Sequence, residues 1–132
     1  MNTTYFLNCV SGNLFGTKKT PALPSKYYIG LSKTAPNMSG ANVTEPAGAG
    51  YERVELTSLS APSAGVVTNT APINFNESTA DWGTITHFVV YDAKTAGNLL
   101  MYGELSVSRR VETATVMTIR TGYLSLFTQN PA

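Results

Sequence analysis

The sequence predicts a mainly β protein: an antiparallel β-sandwich or flattened barrel of about seven or eight short strands with one N-terminal α-helix. Three observations lead there. Stretches with a side-chain period of two recur along the chain, and each is rich in β-branched or aromatic residues. Gly, Pro and Asn fall between them at roughly even intervals, with 11 Gly and 7 Pro among 132 residues. Only one segment, at the N-terminus, has helical spacing. The length suits one domain, residues 1–132, with the helix in 1–17 and a β-rich body in 25–128.

The helix is expected over Thr3 to Gly16. Phe6, Leu7, Val10 and Leu14 fall at spacings of one, three and four, which makes one apolar stripe. Thr3 or Thr4 can cap its start and Gly16 can stop it. Two readings of the stripe stay open. It packs on the domain's own sheet, or it meets the same helix in other subunits. Pro21 and Pro24 then straighten the chain.

Tyr27, Ile29 and Leu31 alternate with Tyr28, Gly30 and Ser32, which reads as a strand with one apolar face. Thr34 to Gly50 is crowded with Pro, Gly and Asn and reads as a long loop, of the kind that carries function or moves. Alternation resumes from Tyr51 to Thr57 with Val54 and Leu56 inward. Val66–Val67 and Ile73–Phe75 read as short strands.

Thr84 to Tyr91 is β-branched or aromatic almost throughout. That pattern predicts a central strand covered on both faces. Asp92 to Asn98 is a turn, and Leu99 to Leu105 is the expected antiparallel partner. Leu99, Met101 and Leu105 share a face there with Gly103, which marks a bulge or a close backbone approach. Val107, Val111, Thr115–Ile119 and Tyr123–Phe127 complete the set. In the last of these, Leu124 and Leu126 point one way, Tyr123 and Phe127 the other.

Composition narrows the function. Charged residues are 13 % of the chain and the net charge is +1, against an ordinary charged share of roughly 25 %. A weakly charged surface rich in Thr, Ser and Asn suits a protein that partners cover. The pairs Lys18–Lys19 and Arg109–Arg110 are too little for a nucleic-acid footprint. No stretch approaches the roughly 18 apolar residues of a membrane span. The N-terminus lacks a basic secretory region, so synthesis and folding in the cytoplasm are expected.

Catalysis finds little to work with. One His and one Cys are present. His87 stands inside the strongest strand pattern, where packing is the expected role. Cys9 falls in the apolar helix, where a buried thiol is inert. The carboxylates are scattered, and Glu52 with Glu104 is a glycosidase pair only in the sense that any two would be. Asn76, Glu77 and Asp81 fit no calcium loop. No catalytic residue, cofactor or metal is therefore expected. Trp82 is the only tryptophan. It reads either as a corner anchor of the core, with Gly83 turning the backbone beneath it, or as an interface residue.

Four pieces carry a family likeness. They are Pro24-Ser25-Lys26-Tyr27-Tyr28-Ile29-Gly30-Leu31 behind the helix, Gly50-Tyr51-Glu52-Arg53 after the long loop, Ala80-Asp81-Trp82-Gly83-Thr84-Ile85-Thr86-His87-Phe88, and Gly97-Asn98-Leu99-Leu100-Met101-Tyr102-Gly103-Glu104-Leu105. With these, the stretch from Pro24 to about Phe127 resembles a family of small bacteriophage virion proteins, labelled minor structural or tail-fibre proteins. The resemblance implies a β-rich module, often in a homo-oligomer, located in the virion, with no catalytic residues to transfer. The chain lacks the extended repetitive shaft of a long fibre.

Size and charge then favour capsid decoration or cement on the particle exterior, as a ring or trimer bound to the major capsid protein. The alternative is a tail-fibre or baseplate receptor-binding module whose Thr34–Gly50 loop and tyrosines contact host-surface glycan. Either way the expected interface residues are Phe6, Leu7, Val10, Leu14 and Trp82, and the partners are other copies and virion proteins, not nucleic acid or membrane.

Overall fold

The computed structural model describes residues 1–18, 20 and 22–127. Lys19 of the paired lysines, Pro21, and residue 128 at the end of the predicted β body lie outside the described residues. In chain order the elements are helix α1 (Thr4–Phe15) and strands β1 (Tyr28–Ser32), β2 (Val54–Glu55), β3 (Val67–Thr68), β4 (Ile73–Asn74), β5 (Gly83–Tyr91), β6 (Leu99–Val111), β7 (Thr118–Ile119) and β8 (Ser125–Leu126). The protein is mainly β with one N-terminal helix, as the sequence predicts.

The helix begins and ends where its caps dictate. Thr3 is extended, at φ −73° and ψ 157°, and its hydroxyl accepts the Phe6 N–H at 3.3 Å. Gly16 takes the left-handed conformation at φ 69°, which a residue without Cβ adopts at no steric cost. The Thr3 hydroxyl also donates to the Leu99 carbonyl at 2.7 Å, so the helix cap is fastened to the sheet. Ahead of it, Asn2 bridges to Met101, and the main chain of Met1 and Thr3 bonds that of Tyr102 and Leu100.

The main sheet has the order β2-β1-β5-β6 with every pair antiparallel. Two small ladders, β3–β8 and β4–β7, stand apart from it. Ile29, Leu31, Ile85 and Val90 of the sheet form one core with Ile73, Phe75, Met117, Ile119, Leu124 and Leu126, and Phe6 of the helix joins them. The ladders thus supply a second layer, and the arrangement is sandwich-like. Val89, Tyr91 and Leu99 form a smaller cluster with Val43 and Tyr102. Strand β5 is therefore central and covered on both faces, which explains its unbroken apolar run.

Two departures from the sequence reading have physical causes. The stretch from Tyr51 to Thr57 pairs over only Val54–Glu55, because Tyr51 and Arg53 turn to a polar cluster described below. Strand β6 runs on to Val111 and absorbs Val107, which the sequence placed in separate pieces. It does so through a large bulge. Ile85 pairs with Arg109 and His87 with Glu104, so two steps along β5 face five along β6. Next to the bulge, Gly103 lies against Phe88. A Cβ at Gly103 would stand 2.5 Å from Phe88 Cε1, which is the close approach that the sequence allowed for.

Candidate functional site

Three regions are candidates for a site: the helix face, the Trp82 corner, and the polar cluster that fastens the long loop. The last is the most elaborate. Arg53 is buried and uses its whole guanidinium. Its Nε donates to Glu45 Oε2 at 3.1 Å and its Nη2 to Glu45 Oε1 at 2.6 Å. Its Nη1 donates to the carbonyls of Ala93 and Ala96 at 2.9 and 2.7 Å. The group lies 3.6 Å over the Tyr91 ring centroid. Tyr51 completes the set, donating to Glu45 Oε2 at 2.5 Å and accepting the Leu31 N–H at 2.9 Å.

Burial works against the Arg53 charge, but the Glu45 carboxylate outweighs it and raises the arginine pKa. Burial, reinforced by the hydrogen bond to Glu45, pushes the Tyr51 phenol well above its ordinary value. Burial also raises Tyr91, with Glu45 adding to the effect. The cluster ties three segments together: the end of the long loop, the strand after it and the β5–β6 turn. These polar groups are directed at other parts of the chain, so the cluster fastens the loop to the sheet. Gly30 makes room for it, since a Cβ there would stand 2.5 Å from the Tyr51 hydroxyl and 2.9 Å from Glu45 Oε2. A cavity of about 300 Å³ opens beside it, with Glu52, Lys94 and Thr95 in its lining.

The five expected interface residues separate. Phe6 and Trp82 are 3 % and 2 % exposed and stand in the core. Leu7 and Val10 are half-buried, Val10 against that core. Leu14 is 71 % exposed and Phe15 beside it 74 %. Trp82 fills the corner its composition suits. Its indole N–H donates to the Ala49 carbonyl at 2.9 Å, and its ring meets Tyr51 edge-on, with centroids 5.4 Å apart at 89°. Gly83 follows at φ +84°. The sequence reading weighed none of Glu45, Arg53 and Tyr91 as a site. The signal that could have found them is the pairing of scarce charges around the Gly50–Arg53 piece.

His87 is half-buried and its Nδ1 is 2.8 Å from the Thr86 hydroxyl. Cys9 is buried in the helix. Among the described residues no group of three or more His, Cys, Asp or Glu could hold a metal ion, and no helix is long and apolar enough to cross a membrane.

The described residues thus form a small two-layer β module with a docked helix, and the Glu45–Arg53 cluster fastens its long loop. Residues 2–127 match the family model described as "Podophage GP4 fiber I protein gp80", and the chain belongs to that family of phage structural fibre proteins. No curated protein matches it.

Proposed function

We propose that this chain is a non-catalytic subunit on the exterior of a phage particle, acting in a tail-fibre assembly by packing against copies of itself and neighbouring virion proteins. The family match over residues 2–127 carries this reading. The exposed end of α1 supports it. Leu14 and Phe15 present two large apolar side chains on a surface with few charges, a pattern found where a partner covers a protein. Leu7 and Val10 lie on the same helix and extend that contact, whereas Phe6 holds the helix from the core.

Capsid decoration is the second reading. A chain of 132 residues without a repetitive shaft suits a lattice as well as a fibre. The copy number per purified particle, measured by quantitative mass spectrometry against the major capsid protein, separates the two. A few to a few tens of copies is the expected result. Hundreds, comparable to the capsid protein, would overturn the fibre placement in favour of decoration.

A further inference from the structure

Strand β6 is the outer strand of the main sheet. Over Leu100–Tyr102 its outer main chain is occupied by Met1–Thr3. From Gly103 to Arg110, among the described residues, no main-chain hydrogen bond joins it to any segment other than β5. A bare edge of this kind invites another chain. The bulge sits in this stretch, and Val107 within it is 60 % exposed. Tyr123, 75 % exposed, stands across an open depression of about 240 Å³ that both residues line with Phe88 and Met117.

Glu104 and Arg109 line the same depression. Both are exposed, and neither has an ion-pair partner among the described residues, although the adjacent Arg110 is paired with Asp81 and Glu112. The patch therefore carries one free anion and one free cation flanking an apolar centre. A strongly acidic or strongly basic partner would match one charge and oppose the other. A two-fold related copy matches both, because an isologous contact sets residue i against j and j against i.

We propose that this edge of β6 is a two-fold contact with a second copy of the same chain. Glu104 of each copy faces Arg109 of the other, and Val107 and Tyr123 are covered between them. The bulge prevents a continuous β6–β6 ladder, so the contact closes as a pair and does not propagate. The inference rests on the self-association in the reading above and gives it a surface.

Sedimentation velocity on the purified full chain tests it. The unaltered protein is expected to form a concentration-dependent dimer. Glu104→Arg and Arg109→Glu should each weaken it by about tenfold or more, by placing like charges together. The double variant should restore it. Tyr123→Ser, at an exposed position, should weaken it without touching charge, and thermal melts confirm that each variant folds. A monomer at every concentration, an oligomer indifferent to the single reversals, or a double variant that fails to recover would each overturn the proposal. Copy number per particle is measured on the unaltered chain, independently of these variants, so the fibre reading stands or falls separately.

Discussion

The Arg53 guanidinium lies 3.6 Å over the Tyr91 ring while holding both carboxylate oxygens of Glu45. One side chain thereby connects the long loop, β5 and the β5–β6 turn, whose Ala93 and Ala96 carbonyls it also takes. Replacing it with Met leaves Glu45 without its cation and two carbonyls without donors. The expected loss is about 3 kcal/mol in urea denaturation. Arg53→Lys keeps the charge but loses the planar fork and most of the stacking, so an intermediate loss of about 1–2 kcal/mol is expected. Equal effects of the two substitutions would mean that charge alone, not geometry, does the fastening.

Tyr51 makes the same cluster sensitive to alkali. Burial first, then its bond to Glu45, raises its pKa in the folded state. The folded protein therefore keeps the phenol neutral while an unfolded tyrosine ionises near pH 10. A group whose folded pKa is raised contributes stability that is fully present below the unfolded pKa and is lost as pH rises above it. Tyr91 acts in the same direction. Urea midpoints should hold steady on the neutral side and fall beyond about pH 10. In Tyr51→Phe the starting stability should be lower by about 1–2 kcal/mol, from the lost bonds to Glu45 and Leu31. Its alkaline decline should be shallower, and an unchanged decline would remove Tyr51 as a cause.

Gly103 and Phe88 form a directly opposed pair on β6 and β5. Because a Cβ at Gly103 would stand 2.5 and 2.6 Å from two atoms of the Phe88 ring, Gly103→Ala must displace the ring. Overpacking of this kind is expected to cost about 1–3 kcal/mol. Phe88→Leu in the same chain should recover part of that loss, because the smaller side chain vacates the space. A double-mutant cycle reads the coupling directly. Strict additivity of the two substitutions would show that the glycine serves the backbone and not the ring.

The fold was legible wherever one period dominated a stretch. The helix caps at Thr3 and Gly16, the central position of Gly83–Tyr91 and its pairing with the strand after Asn98 all follow from local pattern. The lengths of the short ladders did not follow. Val67–Thr68 and Ser125–Leu126 are far apart in the chain, and nothing local says where such a pair stops. The bulge was hidden for a related reason. Leu105 and Val107 alternate with Ser106 and Ser108 as in a regular strand, and only the partner on β5 reveals three surplus residues. The polar cluster was hidden because Glu45 and Arg53 each read as ordinary surface charges until the fold brings them to 2.6 Å. The phage family likeness was legible in the four motif pieces, and the match over residues 2–127 agrees with it.

The apolar stripe of α1 gives the last prediction, because the structure splits it between two tasks. Phe6 is buried at the start of the helix and Leu14 is open at its end. Phe6→Ala should therefore cost about 3–5 kcal/mol through a cavity in the main core. Leu14→Asp touches no core contact and should leave stability within about 0.5 kcal/mol. If the helix end is a virion contact, the same Leu14→Asp should sharply reduce incorporation into particles when it replaces the unaltered chain during infection, with its melting unchanged. Phe6→Ala should lower incorporation only as far as it lowers the folded fraction. Normal incorporation of Leu14→Asp would restrict the stripe to holding the helix on its own sheet. Assembly would then rest on other surfaces, the β6 edge among them.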